Sequence, residues 1–290
     1  MSIDKESLKV RLTRLPSLPA VPAVVSRVVR LSEDPRSSAT DFEKVIKTDP
    51  ALSAKVLRTV NSAYYSLPAG GITSLRRGIA LLGMGTVKSI ALGVAFRAMF
   101  GTKVKGSRLD RDAYWHHCLA VAAGAKVISA LRRPGFVEEA FMAGLLHDIG
   151  KLVIDHLAPE AMEMIIQRVR EDSVPMRVAE TDVVGCDHAE IGAAAAEKWS
   201  LPAAYGRAIA YHHTPASRDS SEPGFATVAM VHMANHLAHQ MGFDSDMHEP
   251  KIECDPAAAQ ELDLSASQWG PITQVVKAEV ENALQSFGPE

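Results

Sequence analysis

Cysteine is scarce in this chain: three residues, Cys118, Cys186 and Cys254, in 290. An odd number of widely spaced thiols excludes a disulfide framework and fits a reducing compartment in which all three stay free. Aromatic residues make up only 6% while Ala, Val, Leu and Met recur, a composition suited to helices in close contact through small side chains. Long apolar runs are missing as well. The most apolar stretch, residues 90–100, is interrupted by Arg97 and falls short of the roughly 20 residues that span a bilayer. The first ten residues hold Asp4, Lys5, Glu6 and Lys9 where the apolar part of a signal peptide would begin, so the chain is expected in the cytoplasm with no membrane partner. Charge of one sign is lacking too, because 31 Lys and Arg face 34 Asp and Glu for a net charge of −3. That balance gives no general attraction to a phosphate backbone. With no zinc-finger spacing, aromatic platform or basic run, no nucleic-acid partner is expected.

No segment alternates with period two, so the expected fold class is all-α. Helical spacing of Val24, Val25, Val28, Val29 and Leu31 marks a first helix over 23–31. Thr40, with Glu43 three residues on, reads as the cap of a second. Asp49 caps a third that opens on Pro50. Ser74 caps a helix ended by Gly83-Met84-Gly85, and Thr86 then caps one running to residue 100. Residues 101–110 carry Lys103, Lys105, Gly106 and Arg108 with few apolar side chains. They place a boundary near Gly106, between an N-terminal helical unit (1–106) and a C-terminal one (107–290). Helices are expected in the second unit over 112–131, 137–156, 159–170, 174–183, 188–199, 203–213, 225–240 and 266–287, with 250–262 a loop plus a short helix.

All 11 histidines lie beyond that boundary. Imidazole is the commonest protein ligand for zinc, iron and nickel, and carboxylate is its usual companion. The sharpest local pattern is Leu145-Leu146-His147-Asp148-Ile149-Gly150-Lys151, read as the middle of an apolar helix. Adjacent helical side chains diverge by about 100°, so a cation reached by both His147 and Asp148 would sit over their shared edge. Two polar groups among Phe141, Met142, Leu145, Leu146, Ile149, Leu152 and Val153 must be satisfied. Either a metal or a buried His-Asp hydrogen bond with a solvated Lys151 would do so. Lys151, four residues past His147, can project over the same opening and hold a phosphate by charge. Asp187 before His188 fits simple capping with an exposed imidazole as well as ligation. His212 and His213 close a helix, where a histidine is also favoured by the helix dipole. His116 is expected at the surface, and His232, His236 and His239 on one solvated face.

Taken together, these residues resemble a known family. His147-Asp148-Ile149-Gly150-Lys151, preceded by Tyr114-Trp115-His116-His117 and followed by Asp187-His188-Ala189-Glu190-Ile191-Gly192, is similar to the HD superfamily of metal-dependent phosphohydrolases. Several N-terminal motifs resemble the HDOD branch: Leu15-Pro16-Ser17-Leu18-Pro19-Ala20, Thr48-Asp49-Pro50-Ala51-Leu52, Asn61-Ser62-Ala63-Tyr64-Tyr65, and Ile72-Thr73-Ser74-Leu75 leading to Leu81-Leu82-Gly83. The resemblance implies an N-terminal helical unit packed on an HD-type helical bundle. It implies a bacterial signal-transduction module that acts on signalling proteins in trans, and many relatives of this kind have lost the metal ligands. Carried over residue by residue, the implied metal ligands are His117, His147, Asp148, His188, His212 and His213, with Lys151 at the phosphate position of a small phosphorylated ligand. They imply one or two divalent transition-metal ions, iron, manganese, zinc or nickel, since imidazole suits these better than magnesium.

Three departures count against an enzyme. Ala113 stands where related HD-GYP proteins place a Glu one turn before the first ligand. Thr214-Pro215-Ala216-Ser217-Arg218 replaces their Gly-Tyr-Pro signature, the element for cyclic dinucleotides. Asn235 replaces the distal Asp, and a neutral amide holds a dication less strongly than a carboxylate. The alternative expectation is a metal-dependent phosphohydrolase acting on nucleotides or cyclic dinucleotides.

Overall fold

The computed structural model describes residues 36–62, 71–100, 106–217, 221–244 and 254–287, with positions 10, 24, 27, 28, 30, 31 and 34. The expected motifs at 15–20 and 63–65 lie outside these residues, as do positions 23, 25, 26 and 29 of the expected helix 23–31, whose positions 24, 27, 28, 30 and 31 are helical. Every regular element among the described residues is helical. The chain divides into two compact units, Pro19–Thr102 with Glu281–Glu290, and Met1–Leu18 with Lys103–Val280.

The first unit contains α1 (Ala39–Ile46), α2 (Pro50–Val60), α3 (Leu75–Leu82) and α4 (Met84–Phe100). The cap of α1 is Ser38 rather than the expected Thr40. Ser38 accepts from the Asp41 N–H while the Asp41 carboxylate accepts from Ser38 N, a reciprocal box that Glu43 cannot supply because its carboxylate pairs with Lys47 and Arg76. Asp49 caps α2 by accepting from Leu52 N, and Ser74 caps α3 by accepting from Arg77 N, both as expected. Gly83, at φ 84°, ends α3 in a conformation that disfavours a side chain, and α4 starts at once. Thr86 therefore lies inside α4 instead of capping it. Phe42, Ile46, Val56, Val60, Leu75 and Val87 form a buried apolar core.

The second unit holds α5 (Arg111–Arg132), α6 (Val137–Leu146), α7 (Ile149–Leu157), α8 (Pro159–Asp172), α9 (Met176–Val184), α10 (His188–Lys198), α11 (Ala203–Tyr211), α12 (Phe225–Gln240), α13 (Pro256–Glu261) and, as far as Val280, α14 (Trp269–Phe287). Helix α5 packs against both α6 and α12, and α10 against α7 and α11. Its start is anchored on α7. Asp155, fully buried, accepts from Ser107 Oγ at 2.6 Å and pairs with Arg111.

The continuous helix expected over 137–156 is two helices. Asp148 leaves helical geometry at φ −97°, ψ 12°, and the Lys151 N–H bonds Asp148 O at 2.9 Å in a tightened turn. No Pro or Gly marks the break; the backbone turns where the two polar side chains must leave the apolar stripe.

Two glycine seams bring the helices close. A Cβ on Gly144 would meet Ala122 Cα at 2.8 Å, and one on Gly150 would meet the His188 carbonyl oxygen at 1.9 Å. The second seam presses the start of α7 against the first turn of α10. Gly150→Ala is expected to lower unfolding free energy by about 3 kcal/mol, since the clash is with backbone and no side chain can yield. Urea denaturation of the two proteins checks this, and an unchanged midpoint would contradict it.

Candidate metal centre

One helix turn and three helix ends of the second unit deliver the polar groups. His117 lies in the second turn of α5, on its buried face. His147 follows the last residue of α6 and Asp148 precedes the first residue of α7, so the break aims both at one point. Asp148 occupies a capping position yet caps nothing, which leaves its carboxylate for the centre. Asp187 does cap α10, accepting from Glu190 N in a reciprocal box, but His188 is buried rather than exposed. His212 and His213 follow the end of α11.

These side chains converge. Asp148 Oδ2 is 3.4 Å from both His117 Nε2 and His147 Nε2, and Oδ1 is 3.2 Å from His188 Nε2 and 3.5 Å from His212 Nε2. His117 and His147 bring their Nε2 atoms to 3.2 Å, and His188 and His213 to 2.9 Å. The donors fall into two groups sharing Asp148: His117 and His147 in one, His188, His212 and His213 in the other. Within each group all donor atoms lie within 4.8 Å of one another.

The far side of each ring fixes its tautomer. Nδ1 of His117 donates to Phe243 O at 2.6 Å, that of His147 to Gly144 O at 2.7 Å, and that of His212 to Ile209 O at 2.9 Å. His188 Nδ1 donates to the Glu180 carboxylate at 2.7 Å. Neutral rings so held at His117, His147 and His212 turn Nε2 lone pairs inward, and facing lone pairs, such as those of His117 and His147, repel unless a cation lies between them. Two donors each about 2.1 Å from a tetrahedral ion are about 3.4 Å apart, the spacing seen here. Among the described residues no hydrogen bond reaches Asp148 Oδ1, Asp148 Oδ2 or His212 Nε2. The Lys151 ammonium, buried, lies 2.8 Å from Oδ2 as a counter-charge. The donor set therefore fits a transition-metal ion, with outer partners of the kind that orient metal-binding imidazoles.

Electrostatics agree with inward lone pairs. Burial holds His147 and His213 well below the ordinary imidazole range, and lowers His212. Burial also works against ionised Asp148, but His147, Lys151 and His188 keep its carboxyl well below the usual range. His188 differs. Burial opposes its charge, yet the Glu180 and Asp148 carboxylates push it up to about 10 in the metal-free cluster.

The six implied ligands are thus brought together, with Lys151 beside them rather than solvated. His116 is half-buried, and the expected solvated face of α12 is not one. His232 is buried, donating from Nδ1 to His212 O at 2.7 Å and accepting at Nε2 from Asp255 N at 2.8 Å. His239 packs its ring 5.1 Å from that of His117. Helix α12 is apolar nearly all round, with Val228, Ala229, Met230, Val231 and Met233 buried, and such a helix belongs inside a bundle. Asn235 is buried with Oδ1 unpartnered among the described residues. Glu180 was not foreseen. It lies four residues from both Met176 and Val184 on the buried stripe of α9, a carboxylate in an apolar position that could have flagged it.

Comparison with known proteins places this architecture. The HDOD domain family matches residues 18–215. A protein of Treponema pallidum (strain Nichols) is 26% identical over 208 residues, 71% of this chain, and the chain spans only 40% of that relative's length. Among solved structures, an HDOD domain protein from Geobacter sulfurreducens has a TM-score of 0.75 at 26% identity, covering 96% of this chain and 99% of the other. A protein named as a candidate phosphohydrolase from Shewanella amazonensis SB2B has a TM-score of 0.73 at 25% identity, covering 98% and 99%. No described helix is long and apolar enough to cross a membrane.

Proposed function

The chain belongs to the HDOD domain family, and on that premise we propose that it is a regulatory module of signal transduction that retains a metal centre and acts through protein contacts. The observation that carries this reading is how closed the centre is on every side but that of the half-buried His213. His117, His147, Asp148, His188 and His212 are each at most 1% exposed, whereas a hydrolytic metal needs an open position for water and substrate. Ala113 supplies no further acid, and Asn235 offers a neutral oxygen in place of a carboxylate. The partners in this reading are signalling proteins in trans, with neither nucleic acid nor a membrane.

Purified full-length chain supplied with manganese, iron or nickel is expected to turn over no nucleotide, cyclic dinucleotide or simple phosphoester above a His147→Ala background. Turnover at about 1 s⁻¹ or faster, abolished by His147→Ala, would establish an enzyme instead.

One observation favours a second reading, a metal-dependent phosphohydrolase. Asp148 turns its two oxygens to two sets of imidazoles with Lys151 beside them, and the Shewanella protein carries the name of that activity. A bound cation would supply phosphoryl polarisation and an acidified water. The chain's own part would be to hold that cation through the imidazoles and Asp148, with Lys151 neutralising the phosphate of a small phosphorylated ligand.

A further inference from the structure

The two oxygens of Asp148 have unequal surroundings. Oδ1 faces His188 and His212, with His213 Nε2 2.9 Å from His188 Nε2, so three imidazoles and a carboxylate oxygen make up a four-donor set. Among the described residues Oδ2 faces two imidazoles, His117 and His147, and has Lys151 Nζ 2.8 Å away. The outer charges differ in the same sense. His117, His147 and His212 donate to neutral backbone carbonyls, whereas His188 donates to a carboxylate. One Glu180 oxygen accepts from both His188 Nδ1 and His188 N, at 2.7 and 2.8 Å, and Glu180 is fully buried.

Resting on the metal-centre reading above, we propose that the two halves are not equivalent: a single resident cation belongs among Asp148 Oδ1, His188, His212 and His213, with Glu180 as the positioning residue of His188, while the Lys151 ammonium takes the place of a second cation at Oδ2. Three imidazoles and one carboxylate oxygen fill a four-coordinate shell without further ligands. A carboxylate behind a coordinating imidazole raises its donor strength and fixes its ring. On the other side, a dication entering beside Oδ2 would meet a buried ammonium in a medium of low dielectric constant, where repulsion is strong. Lys151 has the opposite effect from Glu180, and the two lie on opposite sides of one shared carboxylate.

The test uses the full chain and Zn²⁺ alone, titrated in a chelator-buffered series and read by calorimetry and elemental analysis. Wild type is expected to take up one ion. Lys151→Met, nearly isosteric and uncharged, should take up a second, and Glu180→Gln should weaken the first about 10–100-fold. With Co²⁺ as a spectroscopic probe, Glu180→Gln should also shift the visible ligand-field bands, which a purely structural role would leave alone. Circular dichroism verifies that both variants are folded. Wild type that binds no metal overturns the metal-centre reading itself. Two equal sites in wild type, or a Lys151→Met variant that still stops at one, overturns the inequality and leaves the metal centre standing. A Glu180→Gln variant with unchanged affinity and spectrum overturns the role of Glu180.

Discussion

Replacing His147 and Asp148 together with Ala is expected to abolish metal content. Protein purified without chelator or histidine tag should carry a transition metal at about one ion per chain, and the double variant none, as read by elemental analysis. The magnitude follows from Asp148's position. Among the described residues it is the one carboxylate within 3.5 Å of the inward Nε2 atoms of His117, His147, His188 and His212, so its loss removes the charge that holds a dication among the imidazoles. The variant leaves the buried Lys151 ammonium without the carboxylate 2.8 Å away, so it should be less stable than wild type, and circular dichroism verifies that it is folded before its metal is counted. If the double variant kept the wild-type metal content, these residues would not be the site.

The second large effect is a metal-dependent stability that grows with pH. An ion that binds only the folded chain stabilises it by about 2.7 kcal/mol at a free concentration 100 times its dissociation constant. Without metal, His188 titrates at about 10 because Glu180 and Asp148 overcome the effect of burial. The sign follows from that raised value. The proton on His188 stabilises the metal-free fold fully below the unfolded imidazole value of about 6.5, and this contribution is lost as pH rises through about 10. A metal must displace that proton, so its apparent affinity should fall by about tenfold for each pH unit lowered across this window. Thermal unfolding with and without Mn²⁺ at pH 6 and pH 8 should therefore show the larger metal-induced shift at pH 8. An equal shift at both values would contradict the proton displacement.

The sequence made the centre legible where polar residues were compressed into short motifs. His147-Asp148 and Asp187-His188 stood out because each interrupts or opens an apolar pattern, and the structure brings His147, Asp148 and His188 to one cluster while Asp187 stays at the cap of α10. Periodicity could not foresee the break between α6 and α7. Its signals for ending a helix are Gly, Pro and capping residues, and Asp148 departs from the helix without bonding as a cap. The misplaced caps at Thr40 and Thr86 have a different origin. Ser38 and Asp41 satisfy each other first, and α4 begins directly at Met84 after the turn at Gly83. His232 and His239 were read by spacing alone, while the apolar residues surrounding them on α12 already implied an interior helix. The Asp155–Arg111 pair joins residues 44 apart in sequence, which no local pattern encodes, whereas Glu180 showed only as a carboxylate on an apolar stripe.

The burial of the ligands also sets a clock. An ion held by His188, His212 and Asp148, none of them more than 1% exposed, cannot leave by trading its bonds one at a time for bulk water. The half-buried His213, at the end of α11, is the side from which solvent can first reach it. Departure must wait for a local opening there, so exchange is governed by the frequency of such openings rather than by affinity alone. An ion captured as the chain folds would then be retained long after the metal supply around it had changed.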